Sequence, residues 1–501
     1  MSGLILLPIC LPIIAGIIML ISSAASKWRK APDLNAEGLK KLHIMAILVL
    51  AASAVIAVVL AWSGDVSFTL FYLMKDIPIY FHVDDIGRVF ITVISIIWVV
   101  ICIYSFVYMK HEGEERRFFG FYLVVYGVLA ALVFSGNLVT MYLFYEMMTL
   151  TSMPLVLHNG SREAIMAALK YLFYSMCGAY LGLFGIFFLY KYCTSLTFTP
   201  GGTLDMALAS GNQGLLLASV FAMLIGFGVK AGMLPLHAWL PTAHPVAPSP
   251  ASAALSGIIV KCGVLAVIRT VYYIVGADFI RGTWVQTAWM VLTLMTVFMG
   301  SMLAFREPVF KKRLAYSTVS QVSYILFGLS ALSPTAMTGS LLHVVFHAFI
   351  KCTLFLTAGI FIFQCGKTRV EELVGIGKEM PKTLWCYTFA SLALIGIPPT
   401  SGFISKWYLA QGALEANIGA FRWIGPVVLL ISALLTAGYL LPVTMKGFFP
   451  GKDAAQTEWK KQEPPYLMLL PLAFLALMAV LLGVFPNPLI RYFSQIAATV
   501  L

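Results

Sequence analysis

The chain has 501 residues, of which 60% are hydrophobic and only 11% charged, and its mean hydropathy is +0.91. A soluble domain carries about 25% charged residues, so this composition excludes an ordinary globular enzyme. Divided into apolar spans of about 20 residues, one for each bilayer crossing, the chain fits a bundle of roughly a dozen or more helices. We therefore predict an all-α polytopic membrane protein.

Followed along the chain, the hydropathy pattern predicts fourteen spans. They cover about 3–22, 43–62, 84–109, 117–135, 137–158, 162–192, 213–232, 249–274, 282–305, 312–331, 335–365, 382–413, 421–446 and 465–486. Residues 1–22 lack a basic segment and a small-residue cleavage site, so we interpret them as the first span. Between the second and third spans, aromatic and β-branched residues alternate over 66–83, which predicts a surface hairpin.

Lysine and arginine favour the cytoplasmic side of a membrane, so their distribution predicts the orientation. One side, which we call the basic face, collects Lys27, Arg29, Lys30, Lys40, Lys41, Lys110, Arg116, Arg117, Arg162, Arg306, Lys311, Lys312, Arg313, Lys367, Arg369, Lys378, Lys382, Lys446, Lys452, Lys460 and Lys461. The other side has Lys75, Arg88, Lys191, Arg281, Arg422 and Arg491. We therefore expect both termini to be extracytoplasmic. Orientation also accounts for the net charge of +12, which does not point to nucleic acid.

A few charges remain inside the predicted spans: Glu146, Lys170, Lys230, Lys261, Arg269, Lys351 and Lys406. A charge at the bilayer centre costs about 3 kcal/mol on insertion scales, and such residues mark ion or proton pathways by default. Snorkelling to the interface accounts for Arg269, near a span end, and suits Lys170. It does not account for Lys230, Lys261 and Lys351, which lie far from either boundary.

Lysine suits a proton relay because burial lowers its pKa, whereas a nearby carboxylate raises it again. Glu146 is the only acid in mid-span that could serve as that carboxylate. Histidines extend the set, namely His237 and His244 in a proline-rich segment and His343 and His347 in the eleventh span. A lone buried histidine is usually a packing residue. The eleventh span, however, places His343, His347 and Lys351 on one helical face at i, i+4 and i+8.

Two predicted spans are interrupted by glycine and proline. The seventh contains Lys230-Ala-Gly-Met-Leu-Pro235-Leu-His237 and continues to Pro241, and the twelfth contains Gly396-Ile-Pro398-Pro399-Thr-Ser-Gly402-Phe-Ile-Ser-Lys406. Proline removes a backbone donor, and unpaired backbone at membrane depth persists only beside protein or water. Interrupted helices at corresponding positions of two halves point to a transporter's pathway.

The breaks also suggest a repeat. Spans 4–8 and 9–13 each contain five helices with the break in the fourth, and an odd number makes the second unit inverted relative to the first. We therefore predict four parts: 1–116 with three spans and the hairpin, 117–274 and 275–446 as the two inverted repeats, and 447–501 with a cytoplasmic loop and the last span.

Cofactor signatures are missing from the sequence. The eight cysteines are scattered and form no C-x-x-C pair, which argues against iron–sulfur clusters and zinc sites. The chain also lacks a phosphate-binding G-x-x-x-x-G-K-[ST] loop and a dinucleotide fingerprint. We therefore expect no bound cofactor, nucleotide or metal.

Several of these segments match a known family. The stretch Phe227-Gly-Val-Lys230 through Pro235-Leu-His237-Ala-Trp-Leu-Pro-Thr-Ala-His244-Pro-Val-Ala-Pro248 closely resembles the signature of antiporter-like subunits. These subunits occur in respiratory complex I, membrane-bound hydrogenases and Mrp-type multisubunit Na+/H+ antiporters. Residues 137–150 resemble the family's fifth-helix motif, although Tyr145 replaces the usual Trp, and 312–317 and 396–407 also match. The resemblance runs from about Asp84 to Gly447.

The resemblance implies a proton half-channel in each repeat and a polar axis that joins them. In this arrangement Glu146 and Lys230 would form a modulating ion pair, with Lys261 as the central relay. The axis would continue through His343, His347 and Lys351 to Lys406 on the exit side. The implied partners are other membrane subunits, including homologous antiporter-like subunits and a redox or Mrp-type module, in a prokaryotic plasma (inner) membrane. The ions would be H+ and possibly Na+.

Other functions stay open at this point. The first alternative is a subunit of an Mrp-type Na+/H+ antiporter, because the sequence does not distinguish the complex I, hydrogenase and Mrp branches of the family. A quinone- or haem-binding oxidoreductase is a second, but haem needs histidines on facing helices, and His343 and His347 share one helix. A passive scaffold or channel leaves the buried charges unexplained. An autonomous secondary transporter is the fourth.

Overall fold

The computed structural model describes residues 2–28, 35–451 and 460–501. In these ranges the chain is mostly helical, with one two-stranded antiparallel sheet. Arg29, Lys30 and Lys452, which contribute to the predicted basic face, lie outside the described residues. The helical content of the described ranges, together with the eleven helices in them that are long and apolar enough to cross a membrane, confirms the coarse prediction of an all-α membrane protein.

The secondary structure follows the hydropathy pattern closely. The first half contains α1 (Leu7–Trp28), α2 (Ala36–Trp62), β1 (Ser67–Met74), β2 (Ile77–His82), α3 (Asp85–Glu112), α4 (Glu115–Val133), α5 (Leu138–Val156), α6 (Arg162–Tyr192), α7 (Met206–Ala209), α8 (Gln213–Ala231), α9 (Leu240–Val246), α10 (Ser249–Ala254), α11 (Val260–Ile268) and α12 (Ala277–Ile280). The second half contains α13 (Trp284–Arg306), α14 (Phe310–Ser330), α15 (Pro334–Cys365), α16 (Ile376–Glu379), α17 (Pro381–Ile395), α18 (Ser401–Glu415), α19 (Phe421–Phe448), α20 (Tyr466–Val484) and α21 (Asn487–Val500).

Eleven helices in the described ranges are long and apolar enough to cross a membrane. Three predicted spans fall outside that set, and each carries polar or broken sequence. Helix α5 holds Glu146, α14 is rich in serine and threonine, and the span at 382–413 is divided into α17 and α18, which have 15 residues each. The polar and helix-breaking residues that make these spans candidates for function also lower their mean hydropathy.

The hairpin predicted over 66–83 is confirmed, since β1 pairs with β2 in antiparallel register. Backbone hydrogen bonds join it to the α4–α5 connection, from His82 N to Phe134 O at 2.7 Å and from Gly136 N to Tyr80 O at 2.9 Å. The next connection continues this layer, because Leu138 N donates to Leu196 O at 2.9 Å. The hairpin and the loops beside it thus form one hydrogen-bonded layer.

Two helical segments form the centre of the protein. Residues 249–275 comprise α10 and α11 with π-helical turns at Leu255–Ile259 and Arg269–Val275, and the apolar window of this segment is entirely buried. Helix α15 is almost as deeply buried. A helix shielded from lipid on all sides can carry polar side chains that contact only protein or internal water. These two segments carry Lys261 and the His343–His347–Lys351 stripe.

The interpretation of Arg269 as a snorkelling residue is wrong. Its side chain is 2% exposed and its guanidinium forms a two-pronged ion pair with Asp84, with 2.7 Å from Nη2 to Oδ1. Asp84 also caps α3 by accepting from Gly87 N at 2.9 Å. Rings of Phe198 and Tyr273 flank the guanidinium at 4.7 and 4.9 Å. The cation therefore stays inside because a carboxylate and two aromatic faces replace its water.

Replacing Asp84 with alanine should destabilise the protein by about 3–5 kcal/mol, because the Arg269 charge would stay buried without a partner. The measurement is thermal unfolding of the purified protein in detergent. Asp278→Ala is the matched control, since Asp278 pairs with Arg281 while 93% of its side chain is exposed. Exposed pairs contribute at most about 1 kcal/mol. Equal effects of the two substitutions would contradict the buried-pair assignment.

Candidate functional site

The first helix break lies between α8 and α9. Gly232 ends α8 in the left-handed region at φ +79, where a glycine carries no Cβ penalty. Pro235 lies in the non-helical stretch and Pro241 in the first turn of α9. Polar partners satisfy part of the freed backbone, because Leu234 N donates to Thr296 Oγ1 at 3.1 Å and Trp239 Nε1 donates to Val229 O at 2.8 Å. The break is thus held by protein contacts.

The second break, between α17 and α18, is built in the same way. Gly396 ends α17 at φ +94, and Pro398 and Pro399 follow before α18 begins at Ser401. Gly402 lies against the end of α17, where a Cβ would stand 1.8 Å from Ala393 O. Only glycine permits that approach, so Gly402 lets α18 start directly beside the last carbonyls of α17.

Lys230, the last residue but one of α8, is fully buried in a cradle of hydroxyl groups. Its amine donates to Thr149 Oγ1 at 2.7 Å, Tyr171 OH at 2.9 Å and Ser175 Oγ at 3.0 Å. A hydroxyl can either accept from an ammonium or donate to a neutral amine. The same cradle therefore suits both protonation states of Lys230.

Glu146 is partly exposed on α5, one helical turn before Thr149 of that cradle. The structure does not bring its carboxylate and the Lys230 amine into a direct ion pair, since the described residues show none between them within 4 Å. Their charges nevertheless act on each other, and Glu146 Oε1 is buried with no hydrogen-bond partner among the described residues. The arrangement places an uncommitted carboxylate within electrostatic reach of a buried amine.

Lys261 and Lys351 are linked through α14. The Lys261 amine donates to Ser256 O at 2.7 Å, in the first π-helical turn, and the Ser256 hydroxyl bonds Thr318 Oγ1 at 2.7 Å. The Lys351 amine donates to the neighbouring Ser317 hydroxyl and to Leu314 O at 3.1 Å. The Thr318 and Ser317 hydroxyls both donate to that same Leu314 carbonyl, each at 2.9 Å. One turn of α14 therefore lies between the two buried amines. The contact with Lys261 passes through Ser256, whose carbonyl binds the amine and whose hydroxyl binds Thr318.

His347 occupies the junction of the axis. It is fully buried, and neither ring nitrogen has a hydrogen-bond partner among the described residues. The charges that act on it are those of Lys261, Lys351, His343 and Lys406. The rings of His343 and His347 stack with centroids 5.7 Å apart, and His343 Nδ1 is 2.8 Å from Ser405 Oγ. The stripe predicted on α15 thus faces the residues to which it was expected to connect.

Lys406 lies at the second break, next to Ser405 on α18. Its amine donates to the terminal carbonyls of α17, Leu394 O at 2.6 Å and Ile395 O at 2.9 Å, and lies 5.1 Å from the Tyr324 ring. The last carbonyls of a helix lack intrahelical donors and carry partial negative charge. Lys406 therefore caps a half-helix, and the terminal carbonyls of α17 accept the hydrogen bonds that its amine donates.

His237 and Lys170 stand apart from this axis. His237 is partly exposed within the first break, and the charge that acts on it is that of Lys170. Lys170 itself donates to Thr242 Oγ1 at 3.0 Å, on α9. The structure brings Lys261, His347, His343, Lys351 and Lys406 together, while His237 lies at the flank of the first unit.

The sequence reasoning did not assign the hydroxyl partners: Thr149, Tyr171, Ser175, Ser256, Ser317, Thr318 and Ser405. The available signal was the density of serine and threonine in otherwise apolar spans, above all in α14. As for metals, the described ranges contain no group of three His, Cys, Asp or Glu side chains that could hold an ion.

Gly263 sets the distance between the helices of Lys230 and Lys261. A Cβ at this position would lie 2.7 Å from Ala231 N and 2.8 Å from Phe227 O, which are backbone atoms. Gly263→Ala should therefore push α11 away from α8 and lower the free energy of unfolding by about 1–3 kcal/mol, which thermal unfolding measures. It should also slow transport, which an ion-flux assay measures. Gly214→Ala, with nothing within 4 Å, is the control and should match wild type. Wild-type behaviour of Gly263→Ala would refute this packing role.

Comparison with known proteins identifies the family and the fold of the chain. The family described as "NADH:quinone oxidoreductase/Mrp antiporter, TM" matches residues 135–449, and "NADH-Ubiquinone oxidoreductase (complex I), chain 5 N-terminus" matches residues 73–119. NADH-quinone oxidoreductase subunit N of Desulforudis audaxviator is 32% identical over 428 residues, or 83% of this chain and 84% of that protein.

Two further relatives cover the whole chain. The D-type subunit of the Na(+)/H(+) antiporter of Alkalihalophilus pseudofirmus is 26% identical and spans 100% of this chain and 98% of its own. A chain of the solved Mrp complex from a Dietzia species has the same fold, with a TM-score of 0.82, 20% identity and coverage of 100% and 98%. The chain therefore belongs to the NADH:quinone oxidoreductase/Mrp antiporter family of membrane proteins.

Proposed function

We propose that this chain is an ion-translocating subunit of a multisubunit membrane complex and that it moves protons along the row of buried amines and imidazoles. The observation that carries the proposal is that Lys230, Lys261 and Lys351 are at most 3% exposed and have no carboxylate within 4 Å among the described residues. Buried ammonium groups without counter-ions are expensive, so the site is suited to amines that gain and lose protons.

The partners of these amines support the proposal. The Lys230 cradle accepts either protonation state because its three partners are hydroxyls. From Lys261, the α14 hydroxyls lead to Lys351, and His347 lies within reach of the charges of Lys261, Lys351 and Lys406. Histidine can exchange protons near neutral pH. Lys406, held on the end of α17, would be the terminal station, as the family resemblance implies.

The finer architecture is part of this proposal. We expect fourteen crossings, with α5, α14 and the broken α17–α18 pair added to the eleven apolar helices. Both breaks contain a left-handed glycine followed three residues later by a proline, Gly232 with Pro235 and Gly396 with Pro399. This shared spacing supports two inverted five-helix repeats over 117–274 and 275–446, flanked by 1–116 and 447–501.

The location and partners follow from the same family membership. The chain would lie in a prokaryotic plasma membrane with the basic face in the cytoplasm and both termini outside. Its partners would be other membrane subunits, among them homologous antiporter-like subunits and a redox or Mrp-type module. Glu146 and Lys406, at the two ends of the row, are both partly exposed, which suits contact with neighbouring subunits.

Exchange of Na+ for H+ is the second candidate function. The observation that favours it is that two curated relatives aligned over the whole chain are D subunits of Na(+)/H(+) antiporters, whereas the more similar subunit N covers 83% of the chain. Adding Na+ to proton-loaded vesicles that contain the complex separates the two. Proton release on Na+ addition would identify antiport, and its absence would favour redox-driven proton pumping.

Substituting Lys261 with methionine should abolish proton translocation, with a loss of at least about 100-fold. Methionine fills a similar volume without a titratable group, so the buried core should tolerate it. Translocation is measured by a pH-sensitive dye in vesicles that hold the assembled complex. Lys41→Met is the matched control, because Lys41 is 75% exposed and pairs with Glu37. Unchanged translocation in the Lys261 variant would refute the proposed relay.

A further inference from the structure

The sequence pattern predicts that Lys311 is a loop residue on the basic face, just before the span at 312–331, but the structure shows it buried in a helix. It lies in the first turn of α14 and is only 5% exposed. Its amine donates to Ala247 O at 2.5 Å and has no carboxylate within 4 Å among the described residues. Its neighbour Lys312, by contrast, is 38% exposed and pairs with Glu307 at 2.9 Å. Lys311 is thus a further buried amine, at the basic end of the molecule.

His244 lies close to this amine. It precedes Ala247 by three residues, which places both at the end of α9. It is fully buried, and neither ring nitrogen has a hydrogen-bond partner among the described residues. Buried polar groups are nearly always satisfied by protein or water, so an imidazole with two free nitrogens indicates contact with internal water. The face of the ring stacks on Phe355, with the two centroids 4.6 Å apart. This packing contact involves neither ring nitrogen.

The surroundings of His244 connect Lys311 to the central axis. Phe355, the ring on which it stacks, lies one helical turn beyond Lys351 on α15. Leu314, whose carbonyl accepts from Lys351, lies one turn beyond Lys311 on α14. Through Ala247 and Phe355, His244 therefore lies between the turn of α14 that carries Lys311 and the turn of α15 that follows Lys351.

The end of α3 lies beside this stretch and carries a carboxylate. Glu112, the last residue of α3, is partly exposed. Tyr108, one turn earlier on α3, accepts a hydrogen bond from Ser249 at 3.3 Å, two residues after Ala247. A further ionisable group beside this stretch is Tyr104 on α3, whose hydroxyl donates to Leu356 O at 2.9 Å.

We propose that Lys311 and His244 form the route by which protons pass from the basic face to Lys351. This inference rests on the proposed proton relay and adds to it a lateral input at the second unit. Glu112 would collect protons at the surface, Lys311 would receive them and release them to His244 through internal water, and His244 would deliver them to Lys351. Each step breaks one N–H or O–H bond at the donor and forms one at the acceptor, so that protons are conserved and the heavy-atom bonds of the chain stay unchanged.

The competing explanation is that Lys311 only tethers α14 to the end of α9 through Ala247 O. Two substitutions separate the roles. Lys311→Arg keeps the charge and an N–H donor for Ala247 O, but a guanidinium does not release its proton. His244→Phe keeps a ring that stacks on Phe355 and removes two nitrogens that have no partner among the described residues. Neither change removes a contact that a purely structural role requires.

The experiment measures proton translocation in vesicles that hold the assembled complex, between about pH 6 and pH 9. Each rate is divided by the amount of the subunit that has assembled. Both Lys311→Arg and His244→Phe should lower the rate about tenfold or more at the alkaline end. The pH at which the rate is half-maximal should shift to a lower value, because a higher proton concentration compensates for slower proton uptake. Lys312→Gln, the neighbouring exposed lysine, is the control and should keep the wild-type rate and pH profile.

A wild-type rate and pH profile in Lys311→Arg would overturn the route and leave Lys311 as a tether. The same result in His244→Phe would equally overturn it, and this variant decides the matter if Lys311→Arg assembles poorly. Lys261→Met separates this failure from failure of the relay itself. If Lys261→Met is inactive while both input variants behave as wild type, only the input route is wrong; if Lys261→Met is active, the proposed function fails.

Discussion

The need to satisfy amines that have been withdrawn from water governs the interior of this protein. Lys230, Lys261 and Lys351 are buried in the described structure, and each would cost about 3 kcal/mol or more as an isolated charge at the bilayer centre. The chain offers them hydroxyls and carbonyls from neighbouring helices instead of carboxylates. Helix packing brings most of these oxygen atoms to the amines, and the first π-helical turn supplies the Ser256 carbonyl that binds Lys261.

The kind of oxygen differs along the row, and the difference has chemical consequences. Lys230 is surrounded by hydroxyls, which can reverse their hydrogen bonds when the amine loses its proton. Within the described ranges, Lys406 bonds only carbonyls at the negative end of α17, which can accept but never donate. The first environment can bond the amine in either protonation state. The second can only accept the hydrogen bonds that the Lys406 amine donates.

Other charges in the same fold are plainly structural, and their partners show the contrast. Arg269 has a bound carboxylate in Asp84 and aromatic rings on its flanks, so its charge is permanent and fully compensated. His347 has no hydrogen-bond partner among the described residues and lies within reach of several titratable groups. Compensation by an ion pair marks a residue that holds helices together. Its absence at a buried titratable group marks a candidate for proton transfer.

The sequence by itself determined the apolar spans, the basic face, the hairpin and the glycine–proline interruptions. These features depend on hydropathy and backbone chemistry within about 20 residues, so they can be read locally. Only the tertiary structure decided that Arg269 meets Asp84 across 185 positions, that Ser317 and Thr318 link two lysines, and that Lys311 is buried. Those contacts depend on how each helix is rotated against its neighbours, and the hydropathy of a single span does not encode that rotation.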